Sequence, residues 1–599
     1  PDLIESVPGL QVIRSRGRHS YTVASVRGST SSQVAVYVDG VLMNLQSEAA
    51  VDLSSIPVDN VLRIEVYRGY IPAKFGAQAM GGVINIVTKQ PTEPETNVTL
   101  GAGSFGRYKG NVSYGAPLGD GTLFAAFGYE TYDGDYKYWN DNGTPYNATD
   151  DYTGKRRDNG FENMDLLLKW QDEHWRAKAS WVRNDRDLAL PAPGIDKPGM
   201  GQQSGAKLDT DRVDVLVGRT QTAGAVNWDW ELKYTDQKKD YDSRRGDNLS
   251  QIGAMNVSKS SYDTTRFGAT VTASWSAGER HFFEALLDYS DERLKIGGAT
   301  VSEYLGGTDK YTREGWSATL QDTVALDAAG TLLLTPSLRW HKEGDDDEFT
   351  WQVALAKEFG PAWMLKAAYG TYARAPNMYE QYGDGAFILP AANNMKWETG
   401  EQFDLGVAWT GNAGRARSNV SLAYFWRETD DLIEFNMESP RYGRYANIAH
   451  AKVRGVELET GLDWEKWAFT LSGTWMDGKN ETPDHAGSTR QYGKTLPNRP
   501  EWSGTARLTR KFDRASAFVE YQYIGENYAD SSEQVLFDSR NVWNVGVKYR
   551  LSPTAQLIAG IDDVFDEADD WRMRANGPTR MLWHPIEGRS YYLTLMMEF

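Results

Sequence analysis

Residues 420–427 read Val-Ser-Leu-Ala-Tyr-Phe-Trp-Arg, with a large apolar residue at each even-numbered position. Successive side chains of a β-strand point to opposite faces, so this period of two predicts a strand with one apolar face. The same alternation recurs at 350–355, 467–475 and 545–551. We count about 22 alternating segments after residue 95, an even number that lets a sheet built from hairpins close into a barrel.

The composition favours a membrane barrel over a bundle of membrane helices. The mean hydropathy is −0.57, and no apolar run approaches the roughly 20 residues that a membrane helix needs. The chain nevertheless contains 21 Trp and 32 Tyr, residue types that favour membrane interfaces. Short connections such as 117–121 alternate with long ones such as 188–208, which is typical of an outer-membrane β-barrel.

Basic residues in the last third of the chain indicate which face of the sheet is internal. Lys548 and Arg550 lie on the side of segment 545–551 that is opposite to its large apolar residues. A basic side chain on the lipid face costs roughly 2–4 kcal/mol near the bilayer midplane. We therefore expect both residues to face the lumen.

Charge and cysteine content exclude several classes of protein. The formal net charge is −18, whereas a duplex nucleic-acid binder needs clustered positive charge, so we expect no nucleic-acid partner. The chain has no cysteine, which rules out disulfides, thiolate metal sites and cysteine nucleophiles. Neither G-x-S-x-G nor a Ser/His/Asp constellation within one segment is present, and we predict that the protein is not an enzyme.

The first 92 residues lack the repeated period-two alternation of the rest of the chain. They predict strands near 34–38, 61–67 and 83–87, and a polar segment with two prolines follows at 89–95. We predict a small α/β domain over 1–92 and a β-barrel of about 22 antiparallel strands over 93–599. A barrel of this size encloses a lumen wide enough to leak solutes, so the small domain is predicted to fill it as a plug.

Several segments, taken in order and spacing, closely resemble the TonB-dependent outer-membrane receptors. They are 4–12, 26–28, 36–41, 56–69 and 75–89 in the plug, and 372–377, 454–459, 496–500 and 561–566 in the barrel. The resemblance implies an integral protein of the bacterial outer membrane, in contact with its lipid, that imports a scarce metal chelate. Its energy would come through TonB and the inner-membrane energising complex, with no cofactor required. The coupling segment that precedes the plug in this family is not seen here, so we expect ligand binding without transport from these residues alone.

The resemblance leaves the ligand open. A ferric siderophore is the commonest cargo of the family, and cobalamin and then haem are the alternatives. Receptors for haem often carry a histidine after the Arg-Ala-Pro segment, and this chain has none between Arg374 and Asn394. A passive porin would have a similar barrel but would lack the plug segments.

The resemblance also assigns candidate site residues. The plug-apex candidates for ligand binding are Asn44, Gln46, Ser47 and Tyr70. The candidates in extracellular loops are Tyr379, Tyr382, Phe387, Trp571, Arg572, Trp583 and His584. Aromatic faces with a few cations suit a planar or anionic chelate. Arg27, Glu65 and Arg68 are predicted to hold the plug against the barrel wall, where a buried charge must be paired.

A group of aspartates flanks the loop at 188–208 and is a candidate calcium site. These residues are Asp185, Asp187, Asp196, Asp209 and Asp211. Calcium takes six to eight oxygen ligands, and clustered carboxylates supply them. The cluster is similar to the calcium-ordered loops of the cobalamin receptor in the same family.

Overall fold

The fold was analysed in a computed structural model of the chain. It describes residues 4–14, 17, 20–75, 80–140, 142, 147–189, 206–242, 259–298, 309–384, 388–439, 442–483, 492–528, 530–567, 573–575 and 585–599. Within these ranges, no helix is long and apolar enough to cross a membrane.

The N-terminal region forms two small sheets. Its strands are β1 (Leu10–Arg14), β2 (Thr22–Val26), β3 (Val34–Val38), β4 (Val41–Leu42), β5 (Val61–Tyr67) and β6 (Gly82–Thr88). Strands β1 and β2 pair only with each other, and the other four form a sheet in the order β4-β3-β6-β5 in which β3 and β6 run parallel. Three 3-10 helices connect them, at Ser31–Gln33, Leu53–Ser55 and Ala73–Phe75. The three predicted strands are confirmed, and the described helical content of this domain is 3-10 helix.

The remaining strands follow in chain order. They are β7 (Glu95–Gly103), β8 (Arg107–Leu118), β9 (Gly121–Tyr132), β10 (Lys137–Asn140), β11 (Tyr152–Lys155), β12 (Phe161–Gln171), β13 (Trp175–Asp187), β14 (Lys207–Ala223), β15 (Val226–Asp242), β16 (Lys259–Ala277), β17 (His281–Gly298), β18 (Lys310–Ala325), β19 (Leu332–Glu343), β20 (Asp346–Phe359), β21 (Trp363–Arg374), β22 (Glu398–Ala413), β23 (Ala416–Ser439), β24 (Tyr442–Trp464), β25 (Trp467–Asn480), β26 (Trp502–Lys511), β27 (Ala515–Ile524), β28 (Asn527–Tyr528), β29 (Val535–Phe537), β30 (Arg540–Ser552), β31 (Ala555–Asp562), β32 (Met573–Ala575) and β33 (Ser590–Glu598). One α-helix is described, α1 (Met378–Tyr382).

Twenty-two of these strands close into one antiparallel barrel. The barrel runs from β7 to β33 and closes where β33 pairs with β7, while β10, β11, β28, β29 and β32 are short strands in the loops. The predicted strand number and the plugged-barrel fold are therefore confirmed. Closure leaves no unpaired sheet edge in the bilayer, where every exposed backbone amide would be costly.

The two faces of the barrel wall differ as the alternation predicts. Leu287 and Leu320 are 47% exposed on the outer face, whereas Leu216 and Leu286 are buried inside. Aromatic pairs mark the two borders of the apolar band: Tyr289 with Trp316 near the extracellular border, and Trp363 with Trp409 near the periplasmic border.

The inward orientation of the two basic residues is also confirmed. Val542 and Asn544 line an internal cavity, and strand alternation puts Lys548 and Arg550 on the same side of β30. The adjacent outward positions Val547, Tyr549 and Leu551 are apolar or aromatic and are more than two-fifths exposed. The lipid face of this strand therefore carries no charge over these positions.

We predict that Leu320→Lys destabilises the barrel by roughly 2–4 kcal/mol, because the new charge lies in the apolar band below Trp316. Phe349→Lys is the matched control, since Phe349 is 73% exposed beside the extracellular turn before β20. Urea unfolding in lipid vesicles measures both variants. Equal stability of the two variants would contradict the assigned membrane position.

Candidate functional site

A buried cluster of charges joins the plug to the barrel wall. Arg27 follows β2, and its Nε and Nη2 donate to the two carboxylate oxygens of Glu457 at 2.9 Å each. Arg27 also pairs with Asp404, and its guanidinium lies 4.8 Å from the ring centroid of Phe425. Arg68 adds a second cation, with Nη1 3.1 Å from Glu457 Oε2. The structure thus places Arg27 and Arg68 between plug and barrel, as predicted.

Glu65, the third predicted plug–barrel contact, has a different role. It accepts hydrogen bonds from Asn85 at 2.8 Å, Tyr67 at 3.0 Å and Arg63 at 2.7 Å, all within the plug. Burial opposes its ionisation, but these hydrogen bonds outweigh that cost and lower the pKa of Glu65 to about 2. The contacts that the structure gives Glu65 lie within the plug because β5 turns this side chain along its own sheet, and a contact of Glu65 with the barrel stays a prediction.

Two of the predicted plug-apex residues contact the barrel near the extracellular ends of its strands. The Gln46 backbone N–H donates to Glu292 Oε1 at 2.7 Å, and its side-chain amide donates to Glu343 Oε1 at 2.6 Å. The hydroxyls of Ser47 and Thr264 are 2.9 Å apart. Both residues therefore position the loop after β4 against strands β16, β17 and β19.

The other two apex candidates are also engaged within the protein. The Tyr70 hydroxyl donates to Gln321 on β18. Asn44 bonds the plug backbone, accepting from Val36 N at 2.8 Å and donating to Val34 O at 2.9 Å. We predicted these four residues as ligand contacts, and the structure instead places their polar groups in plug–barrel or plug–plug hydrogen bonds.

The extracellular segment after β21 folds over this plug loop. Asn377 caps helix α1, because its Oδ1 accepts a hydrogen bond from the Glu380 backbone N–H at 2.7 Å. In return, the Asn377 backbone N–H donates to the Glu380 carboxylate at 2.9 Å. This reciprocal capping box fixes the start of a helix that is too short to be stable alone. Arg374 lies buried between Glu380 and Glu398. In the Arg-Ala-Pro-Asn segment, Arg374 therefore holds α1 in place through Glu380, and Asn377 caps the start of the helix.

Helix α1 contacts the plug directly through backbone groups. The Tyr379 backbone N–H donates to Gln46 O at 2.9 Å, and Asn377 Nδ2 donates to Glu48 O at 3.1 Å. The extracellular helix and the plug loop at 42–48 thus form one hydrogen-bonded unit.

An aromatic cluster surrounds this unit at the extracellular side. It consists of two groups of rings that share helix α1: Tyr311 with Tyr382, and Tyr379 with Tyr445 and Phe435. Ring centroids of Tyr311 and Tyr382 are 4.0 Å apart and stacked, those of Tyr379 and Tyr445 are 6.0 Å apart, and those of Phe435 and Tyr445 are 5.4 Å apart.

The plug residue Tyr21 lies near the aromatic cluster. Its side chain is 38% exposed, and its hydroxyl donates to Ala50 O at 3.3 Å. Burial raises the pKa of Tyr379, and the nearby Asp384 and Tyr445 raise it further, so the phenol stays neutral at physiological pH. Neutral phenols offer a ring face and a hydroxyl to a ligand.

The structure thus brings together two predicted loop residues, Tyr379 and Tyr382, with three that the sequence analysis did not select. Tyr311, Phe435 and Tyr445 belong to three separate segments, and aromatic residues are too common in this chain for any of them to stand out. Phe387, Trp571, Arg572, Trp583 and His584 lie outside the described residues.

Comparison with known proteins assigns this plugged barrel to a family. Residues 94–576 match the family model described as TonB dependent receptor-like, beta-barrel, and residues 1–83 match the TonB-dependent Receptor Plug Domain. The chain belongs to the TonB-dependent receptor family. It is therefore a receptor of the outer membrane, and members of this family depend on TonB as the energising partner.

Curated relatives and solved structures align with the whole receptor. The vitamin B12 transporter BtuB of Vibrio cholerae serotype O1 (strain M66-2) is 25% identical over 630 residues, covering 100% of this chain and 89% of the relative. The ferric enterobactin receptor PfeA of Pseudomonas aeruginosa, solved with enterobactin, has a TM-score of 0.76 at 17% identity, covering 100% and 96% of the two chains. The siderophore receptor PirA of Acinetobacter baumannii has a TM-score of 0.77 at 16% identity, covering 100% and 95%. At these identities the structural likeness shows the fold.

The predicted calcium ligands lie on the outer face of the receptor wall. Asp185 Oδ2 lies 3.0 Å from Arg183 Nε, and Asp187 Oδ1 lies 3.5 Å from Lys207 Nζ. Asp209 and Asp211 pair in register with Asp185 and Arg183, while Asp196 is outside the described residues. Across the part of the chain that the structure describes, no group of three or more carboxylates or histidines could hold a metal ion. Calcium binding stays a prediction.

We predict that Arg27→Ala loosens the plug at a cost of about 3–5 kcal/mol, because it leaves the half-buried Asp404 without its paired cation and the buried Glu457 with Arg68 alone. Arg63→Ala is the matched control: Arg63 is also a plug arginine in an ion pair, but its side chain is 55% exposed. Its loss costs about 0–1 kcal/mol. Planar-bilayer recordings should show channel openings for the first variant and none for the second. Closed behaviour of both would contradict this assignment.

Proposed function

We propose that this receptor imports a ferric siderophore across the outer membrane, driven by the inner-membrane energising complex through TonB. The observation that carries the proposal is the aromatic cluster, which joins barrel strands to α1 at the point where the Tyr379 backbone contacts Gln46 of the plug. A ligand bound there would contact the plug and the loops together. The proposed role is transport and needs no catalytic residue.

The chemistry of the aromatic cluster suits a metal chelate. A metal chelate with conjugated rings can stack those rings on the faces of tyrosine side chains. Its oxygen atoms can accept hydrogen bonds from the tyrosine hydroxyls. The nearby Arg374 is already paired with Glu380 and Glu398. The cluster therefore offers aromatic surface and neutral donors, and recognition would depend on shape and stacking more than on net charge.

Cobalamin is the second candidate, and one specific observation favours it. The curated relatives that align with 100% of this chain are named vitamin B12 transporters. Cobalamin is also a large metal chelate with a flat macrocycle, so the same aromatic surface would bind it.

The deciding experiment is ligand capture. Purified receptor is incubated with spent medium from its iron-starved host, washed, and analysed for iron and cobalt by elemental mass spectrometry. Iron bound in proportion to receptor supports the siderophore proposal, and cobalt supports cobalamin. Capture of neither metal would overturn the chelate proposal.

We predict that Tyr379→Ala weakens binding of the captured chelate by about two- to thirteenfold, since one aromatic contact contributes roughly 0.5–1.5 kcal/mol. Tyr379→Phe keeps the ring and should bind within about twofold of the parent. Tyr108→Ala is the control for a tyrosine on the outer face, where the side chain is 60% exposed. Fluorescence titration measures all three, and equal affinities for Tyr379→Ala and Tyr108→Ala would place the ligand elsewhere.

A further inference from the structure

An exposed arginine, Arg219, lies at the periplasmic end of the lipid-facing side of β14. Side chains alternate between the two sides of a strand. Arg219 therefore shares the outer side of β14 with three valines that are 36–41% exposed, Val213, Val215 and Val217. The next strand, β15, begins at Val226 after a short turn, and the short turns of outer-membrane barrels are periplasmic. Arg219 thus lies where the apolar band ends and the lipid headgroups begin.

Tryptophans of both neighbouring strands flank Arg219. It pairs in register with Trp175 of β13 and with Trp230 of β15. Its guanidinium carbon lies 5.0 Å from the ring centroid of Trp175, and Trp175 and Trp230 are each 43% exposed. A guanidinium that lies over an indole ring keeps the N–H groups at its edge free to donate. The two strands therefore hold this cation in place without using its donors.

Arg510 has the same surroundings on a distant strand of the barrel, β26. It follows Leu508 on the outer side of the strand, one residue before β26 ends at Lys511. Its register partner on β25 is Trp467. The guanidinium carbon lies 4.8 Å from the ring centroid of Trp467 and 5.2 Å from that of Phe512. Both arginines thus combine an exposed position, a strand end and a tryptophan across the strand pair.

Within the described ranges, neither Arg219 nor Arg510 forms an ion pair with a carboxylate. Arg454 shows the contrasting case, since this outward arginine of β24 is paired with Asp477 at 3.1 Å. An exposed cation without a counter-ion attracts anions from its surroundings. At the border of the apolar band, the surroundings of the outer face are membrane lipid.

We propose that Arg219 and Arg510 each bind the phosphate of an anionic phospholipid in the periplasmic leaflet. A guanidinium matches phosphate oxygens with two parallel N–H···O bonds, and such charge-assisted pairs are stronger than neutral hydrogen bonds. The acyl chains of a lipid held there lie along the apolar band, and the tryptophan rings lie at the height of its headgroup. These two sites are on the outer face, apart from the aromatic cluster, and do not depend on which chelate is imported.

Native mass spectrometry counts the bound lipids. Receptor that has been delipidated in detergent is titrated with phosphatidylglycerol, with phosphatidylcholine of the same acyl chains, and with inorganic phosphate. We expect two phosphatidylglycerol molecules to bind about tenfold more tightly than phosphatidylcholine, whose own ammonium group neutralises its phosphate. Inorganic phosphate at the same concentration should displace neither. Equal affinity for the two lipids, or displacement by inorganic phosphate, would overturn the proposal.

Variants assign the bound lipids to the two sites. Arg219→Ala and Arg510→Ala should each retain one tightly bound phosphatidylglycerol fewer than the parent, and the double variant two fewer. Arg454→Ala is the matched control, because Arg454 is 55% exposed but already paired, and it should bind lipid as the parent does. Circular dichroism checks that every variant keeps its β-structure. An unchanged lipid count in the double variant, or an equal loss in Arg454→Ala, would contradict the assignment.

A second measurement locates the lipid while both arginines stay in place. Phosphatidylglycerol with a photoreactive group beside its phosphate is crosslinked to the parent receptor, and the labelled peptides are identified by mass spectrometry. We expect label in the segments that contain Trp175 and Trp467. Label confined to other strands would overturn the proposal. Neither measurement uses the imported ligand, so a failure of the chelate proposal and a failure of this one are distinguishable.

Discussion

The burial of Arg27 between Glu457 and Asp404 is the interaction on which the closed state depends. The guanidinium is 6% exposed, and Glu457 is 3% exposed. Charges buried to this degree are stable only as a set, because removing one leaves the others without compensation in a poorly solvated site. Residues next to Arg27 and Arg68 are therefore held firmly against the barrel wall in the closed state.

Around this cluster, cationic side chains of the barrel also hold the plug through its backbone carbonyls. Arg212, Arg266 and Lys178 donate to residues 38–44, and Arg427 and Arg499 donate to Gly81 O and Gly28 O at 3.1 and 2.7 Å. Every residue type has a backbone carbonyl. These hydrogen bonds therefore fix where the plug lies but do not require particular side chains at the accepting positions. These backbone contacts do not involve the Tyr21 ring, which stays partly exposed near the site where ligand contact is proposed.

The sequence predicted the barrel because strand alternation and loop lengths are local properties, as at 420–427. It predicted Arg27 and Arg68 because they belong to recognisable segments. The aromatic cluster was harder to predict: Tyr311 and Tyr382, like Tyr379 and Tyr445, are far apart in the chain and come into contact only in the closed barrel. Ligand contact by Asn44 and Gln46 stays a prediction, and the sequence could not show their hydrogen bonds within the protein, since these depend on how the loop lies against β17 and β19.

The most direct test of this account is a double-mutant cycle between Arg27 and Glu457. Plug unfolding in urea would be followed by a fluorophore on Leu62→Cys, a plug position that is 59% exposed. The account predicts a coupling energy of about 1–3 kcal/mol between Arg27→Ala and Glu457→Ala, because each single change removes the bidentate partner of the other buried charge, leaving Arg27 with Asp404 alone or Glu457 with Arg68 alone. Effects that add within about 0.5 kcal/mol would contradict the claim that this buried cluster holds the plug in the barrel.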